Sequence, residues 1–185
     1  MSRTKTAKRR APKARLLILL MGEDIDQGML RDIADTRARI HATDKSSRPM
    51  SDNYELVGLL GQREFSIRSG LPMDVSIRHE GDGGLNFRTR TGTTIHVSTA
   101  RSPVHLLCEA DKPAADIHVL AKVNDTLTGA TLLGWEYDRI MRMCPKRKMI
   151  STGPWNHVML ARDLRPVDDL LALIREQEQS SVALP

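Results

Sequence analysis

The chain has 185 residues, 40% of them hydrophobic, which suits one domain with a sizeable core and terminal extensions. Aromatic residues make up only 3%, which argues against a broad stacking platform for single-stranded nucleic acid. The net charge is +5, and the longest apolar run, residues 16–21, is far shorter than the roughly 20 residues of a membrane-spanning helix.

The positive charge lies in the first 15 residues, which hold seven cations and no acid, whereas the rest of the chain holds 21 cations and 23 acids. A segment with so little to bury is predicted to be a disordered tail. Its natural partner is a polyanion such as nucleic acid, because neutralising phosphates releases counterions. A merely solubilising terminus is the alternative. The tail cations are Arg3, Lys5, Lys8, Arg9, Arg10, Lys13 and Arg15.

Residues 16–42 indicate a helix, or a strand followed by a helix. Ile25, Met29 and Ile33 form an apolar stripe at helical spacing. Acidic residues follow the apolar run at the place where a signal peptide would have a small-residue cleavage site, so secretion is not expected. We expect residues 16–45 to form a helical extension that packs on the domain or on a second copy, which makes a homodimer through residues 16–42 one alternative.

A linker and a second helix are predicted next. Residues 43–52 are polar and contain a proline, as linkers do. Residues 53–69 have helical periodicity and stop at Gly70. Gly58 and Gly61 are costly inside a helix, so their presence implies close packing.

Strands dominate the middle of the chain. Residues 81–101 predict a hairpin, with strands LNFRT and TIHVST and a turn at residues 90–92. Further strands are predicted at residues 104–109, 115–123 and 130–135, and the second of these is apolar enough to be buried on both faces.

Helices are predicted again towards the end. Residues 136–143 suggest a short helix, residues 144–165 a long irregular segment, and residues 166–179 an amphipathic helix. The order predicts an α/β or α+β domain over residues 53–178, with a central mixed sheet of about five strands flanked by helices. Residues 179–185 then form a C-terminal tail.

The cysteines and histidines show no metal-binding pattern. Cys108 and Cys144 lack CxxC spacing, which favours a reduced, cytoplasmic chain without a zinc site. We expect no histidine metal cluster and no cofactor, and we interpret His157 as structural. The histidines are His41, His79, His96, His105, His118 and His157.

The order of several motifs resembles the PD-(D/E)XK nuclease superfamily, in particular its small phage and bacterial members. The motifs are GQREFSIRSGLPMD, GDGGLNF, TIHVSTAR, ADIHVLAKV, LLGWEY and NHVMLARDLRP, which cover residues 53–170. The resemblance implies a restriction-endonuclease-like core and a bacterial cytoplasm as the location. It also implies a divalent-metal site of carboxylates on the hairpin and the preceding helix, with a lysine beside them.

The chain departs from that pattern at the positions that the chemistry needs. Gln62 and Asn86 stand where the family has acids on the helix and the first strand. His96 and Ser98 stand where the second strand would read Asp-Val-Lys. Neutral amides bind Mg²⁺ weakly, and one imidazole is not a site. The resemblance therefore implies an inactive nuclease homologue and not an enzyme.

We expect this homologue to bind nucleic acid through phosphate contacts, with duplex DNA favoured over RNA by the resemblance. Trp155 follows a basic run and is expected to pin its loop to the core, with stacking on a base as the alternative. Besides the tail, the candidate phosphate-binding residues are Arg88, Arg90, Arg101, Lys146, Arg147 and Lys148.

Two other functions compete with this expectation. An active metal-dependent DNA nuclease would need rearranged ligands, for which Glu64, Glu80 and Asp82 are the candidates. Asp82 precedes two glycines, however, and turn formation explains it equally well. A phage or host protein-interaction module is the other alternative, with residues 16–42 as its contact surface.

Overall fold

The computed structural model describes residues 18–41, 53–77, 85–102, 104–111 and 115–180. The predicted basic tail, the linker, Glu80, Asp82 and most of the C-terminal tail lie outside these residues. The helices are α1 Gln27–His41, α2 Tyr54–Ser69, α3 Asp138–Met141 and α4 Val167–Ser180, with 3-10 turns at Gly22–Asp24 and Ala161–Asp163. The strands are β1 Leu19–Leu20, β2 Met73–Asp74, β3 Phe87–Arg88, β4 Thr94–Ala100, β5 His105–Glu109, β6 Ile117–Val123, β7 Ala130–Tyr137, β8 Lys146–Lys148 and β9 Trp155–Leu160. The α+β class predicted from the sequence is confirmed.

The central sheet is mixed and has the strand order β3-β4-β6-β7. β3 and β4 form the predicted antiparallel hairpin, whereas β4 and β6 run parallel. β6 is buried almost along its whole length, as its apolar sequence predicts. Thr94 and Asp116 align the parallel pair, because Thr94 donates its N–H and hydroxyl to the Asp116 carboxylate over 2.8 and 2.7 Å. The bond from the backbone N–H, followed by the bond from the hydroxyl, holds the pKa of Asp116 below its ordinary value.

The sheet differs from the five-stranded prediction by one strand. β5 leaves the central sheet and pairs with β9, which also pairs with β8. The segment at residues 144–165, predicted to be irregular, therefore holds two strands of a second sheet. Sequence patterns missed them because β8 is wholly polar and the pairing of β5 with β9 joins segments about fifty residues apart.

α2 covers one face of the central sheet. Ile95 and Val97 of β4 and Leu59 of α2 belong to the same buried core. The Phe65 ring of α2 packs against the Phe87 ring of β3, with centroids 4.8 Å apart. α4 contributes the predicted apolar face, since Val167, Leu170, Leu171 and Ile174 are all buried.

The strand-then-helix alternative is confirmed for the N-terminal segment. Ile25, Leu30 and Ala34 are buried in the core that α2 shares, whereas Met29 of the predicted stripe is exposed. Arg63 of α2 also donates to the carbonyl oxygen of Ile25 over 2.6 Å. The apolar face of α1 thus packs within its own chain, and a homodimer through this segment stays a prediction.

We predict opposite effects from alanine at the two glycines of α2. A Cβ at Gly61 would collide with the hydroxyl of Thr99 and lie 3.1 Å from the Cβ of Ala121, whereas a Cβ at Gly58 meets no atom within 4 Å. Gly61→Ala should lower the free energy of unfolding by about 1–3 kcal/mol. Gly58→Ala should raise it by about 0.5–1 kcal/mol, because alanine favours the helix. Denaturant unfolding measures both, and equal stabilisation by the two variants would disprove this packing.

Candidate nucleic-acid interface and buried Cys–His–Asp cluster

The resemblance aligns four positions with nuclease site residues, and the central sheet separates Gln62 from His96 and Ser98. Gln62 lies on α2 and is buried. His96 and Ser98 alternate along β4 with Ile95 and Val97, which pack in the core with α2. The side chains of His96 and Ser98 therefore point away from α2, towards the face that the second sheet covers.

The side chain of Asn86 forms a hydrogen bond with the backbone of the hairpin. Its side chain is buried, and its Oδ1 accepts a hydrogen bond of 2.7 Å from the N–H of Val97. Its own N–H donates to the carbonyl oxygen of Ile95 over 3.1 Å. A carboxylate at this position would accept the same bond, so this arrangement is compatible with the frame of a nuclease hairpin while offering only a neutral amide.

The arginines of the hairpin are exposed but lie close to other parts of the chain. Arg88 donates to the carbonyl oxygen of Gly92 over 3.1 Å, and Arg101 lies just after β4. The N–H of Arg90 donates to the Glu178 carboxylate of α4 over 2.8 Å. A carboxylate beside the turn opposes phosphate approach, so this end of the hairpin is less suited to binding than its arginine content indicates.

The second basic run forms a continuous cationic edge. Lys146, Arg147 and Lys148 make up β8, the edge strand of the second sheet, and all three are exposed. Among the described residues none of them forms an ion pair, and Lys148 donates only to the carbonyl oxygen of Ser151, over 3.3 Å. We call these three residues the basic edge.

Trp155 extends the basic edge. We expected this side chain to pin its loop to the core, and this prediction was wrong because 50% of the residue is exposed. Trp155 begins β9 directly opposite Lys148, and the Lys148 ammonium lies 5.4 Å from the centre of its ring. His157, two residues further along β9, is buried and contacts the carbonyl oxygen of Cys144 at 2.9 Å. This buried contact with the backbone agrees with the interpretation of His157 as a structural residue.

A second group of polar side chains lies between the two sheets. Cys108 of β5, His118 of β6 and Asp138 of α3 each place a potential ligand atom within 4.8 Å of the other two. The Nε2 of His118 lies 3.0 Å from Oδ1 of Asp138, and the Cys108 thiol donates to the same oxygen over 3.5 Å. Arg142 donates to the other carboxylate oxygen over 2.7 Å. We call Cys108, His118 and Asp138 the cluster.

The electrostatics of the cluster follow from its burial. Burial, with the Asp138 charge as the second cause, raises the pKa of the Cys108 thiol to about 11. Burial also lowers the pKa of His118 and outweighs the opposite effect of Asp138. Burial by itself raises the pKa of Asp138. The hydrogen bonds from Arg142, His118 and Cys108 together outweigh it and hold that pKa below the ordinary value. At neutral pH the thiol is protonated, so Cys108 is not poised as a nucleophile.

Sequence spacing did not predict the cluster, because its members come from three elements that only the folded chain brings together. One signal was present. His118 interrupts an apolar strand predicted to be buried on both faces, and a buried polar side chain needs a partner. The expectation of no metal-binding group rested on the spacing of the cysteines and histidines, which does not show that a buried histidine needs a partner.

In comparisons with known proteins, no family model, no curated protein and no solved structure matches the chain. Within the part of the chain that the structure describes, every helix is too short or too polar to cross a bilayer. The two cysteines are both free thiols.

We predict that Asp138→Ala lowers the free energy of unfolding by about 1–3 kcal/mol, because it leaves the His118 and Cys108 donors buried without their acceptor. Asp125→Ala, at an exposed aspartate, provides the control and should change it by less than about 0.5 kcal/mol. Urea unfolding of both variants measures the difference. Equal effects would mean that the cluster contributes nothing to stability.

Proposed function

We propose that the protein binds nucleic acid, with double-stranded DNA as its principal ligand, through phosphate contacts made by a nuclease-like domain without catalytic activity. The observation that carries this proposal is the basic edge: three consecutive exposed cations, none of them in an ion pair with a described residue. Unpaired neighbouring cations favour a polyanion, because each phosphate that they neutralise releases counterions.

A charged edge strand has another use, since lysines on an edge prevent pairing with a second sheet. Two features favour a ligand in addition to this role. Trp155 is half exposed beside Lys148 and offers a surface for a sugar or base. The first 15 residues add seven more cations without an acid. Both features increase affinity for a polyanion, and neither is needed to block an edge.

The loss of nuclease residues agrees with binding without cleavage. Gln62, Asn86, His96 and Ser98 provide no set of carboxylates for Mg²⁺. Without those charges the domain also lacks a source of repulsion towards phosphate. Affinity should then be mainly electrostatic, weakly dependent on base sequence and strongly dependent on salt.

We predict that replacing Lys146, Arg147 and Lys148 together by glutamine weakens binding to duplex DNA by about tenfold or more at moderate salt. The slope of log affinity against log salt should fall by up to about 3, because each neutralised phosphate contributes about 0.9. Fluorescence anisotropy with a labelled duplex at several salt concentrations measures both quantities. Deletion of residues 1–15 should reduce the slope further.

A matched control is the triple variant Arg31→Gln, Lys122→Gln and Arg175→Gln, which removes the same charge from exposed positions on α1, β6 and α4. If this control weakens binding as much, affinity follows net charge and the basic edge is not the site. Affinity for single strands that exceeds duplex affinity and disappears in Trp155→Ala would contradict the preference for duplex DNA.

We further predict that the protein does not nick supercoiled plasmid in Mg²⁺ or Mn²⁺, because a hard-ligand set is missing. Agarose gel analysis after prolonged incubation tests this. Metal-dependent nicking that Glu64→Ala, Glu80→Ala or Asp82→Ala abolishes would establish the alternative of an active nuclease with rearranged ligands. Nicking that persists in all three variants would point to contamination.

A further inference from the structure

The cluster between the two sheets plays no part in binding DNA at the basic edge, and its chemistry points to another ligand. We propose that Cys108, His118 and Asp138 bind Zn²⁺ or a similar borderline divalent transition metal. A thiolate, an imidazole and a carboxylate are the three ligand types that zinc takes from proteins. A thiolate does not suit Mg²⁺, so this site differs in kind from the oxygen site of a nuclease.

The spacing of the side chains fits such an ion. Ligands bonded at about 2.0–2.3 Å in tetrahedral geometry lie roughly 3.3–3.8 Å from one another. Oδ1 of Asp138 is 3.0 Å from Nε2 of His118 and 3.5 Å from Sγ of Cys108. All three ligand atoms lie within 4.8 Å of one another, so modest side-chain shifts would admit the ion. It would replace two hydrogen bonds: the thiol proton would leave to solvent, and the proton on Nε2 of His118 would be replaced by one on Nδ1.

The position of the cluster indicates what the metal would do. Cys108 belongs to the second sheet, His118 to the central sheet and Asp138 to the helix that follows β7. An ion held by all three would join the two sheets and stabilise their packing. The Asp138 side chain is 22% exposed, so solvent reaches that side of the cluster and a water molecule can complete the coordination.

Three features limit the affinity, the first being the raised pKa of the Cys108 thiol, whose proton competes with the metal. Arg142 holds the second oxygen of Asp138, and its positive charge opposes a cation nearby. The Nδ1 of His118 is buried without a hydrogen-bond partner among the described residues. A zinc-bound histidine usually donates its other N–H, and losing this bond weakens metal binding. We therefore expect specific binding of moderate strength, which increases when Arg142 is replaced.

Zinc titration of the full-length, untagged protein against a chromophoric chelator tests the proposal. We expect one Zn²⁺ per chain and a higher melting temperature in zinc. Cobalt substitution should produce a thiolate-to-metal charge-transfer band. Cys108→Ser should abolish the band and weaken zinc binding by at least about tenfold, given that even outer partners of a ligand cost about 10–100-fold. Arg142→Gln should tighten binding.

Cys144→Ser is the matched control, because Cys144 is also a free thiol but lies outside the cluster. It should keep both the charge-transfer band and the wild-type zinc affinity. The proposal fails if the wild type takes up no stoichiometric zinc, or if Cys108→Ser binds zinc as the wild type does. It also fails if the two serine variants lose zinc equally. Cys108→Ser is nearly isosteric, and circular dichroism verifies that it folds. DNA binding at the basic edge is measured separately, so each proposal can fail without the other.

Discussion

The parallel pairing of β4 with β6 is the constraint on which the rest of the structure depends. Parallel neighbours cannot be joined by a tight turn, so the chain must cross from the end of β4 to the start of β6. The crossover carries β5, which pairs with β9 and starts the second sheet. The reciprocal bonds between Thr94 and Asp116 align the parallel pair at its first residues. The second sheet, the basic edge and the cluster all follow from this connection.

The central sheet consequently has two unlike faces. One face is covered by apolar packing, and α2 approaches it so closely that Gly61 leaves no room for a Cβ beside Thr99. The other face meets the second sheet through a small apolar group that includes Leu106, Leu120 and Met141. This smaller core leaves space for polar side chains, which explains why the cluster of Cys108, His118 and Asp138 lies there.

The second sheet also explains the surface charge. Its order β5-β9-β8 places the three cations of β8 at an outer edge, where long charged side chains stay hydrated. The same sheet brings Trp155 opposite Lys148 and Cys108 opposite His157. The second sheet thus carries an exposed cationic surface on its outer edge, and its inner side completes a largely buried ligand set with β6 and α3. The two proposed functions, DNA binding and metal binding, are physically separate for this reason.

Local patterns alone determined the α+β class, α2 and α4, the hairpin and the almost fully buried β6. Each depends on periodicity, a glycine stop or a turn within a few residues, and these act before distant segments meet. The tertiary structure decided which sheet β5 joins, the strands β8 and β9, the exposure of Trp155 and the cluster itself. These features depend on contacts between segments far apart in the chain, such as Cys108 with Asp138. Spacing along the sequence carries no information about such contacts, because the β4–β6 crossover creates them.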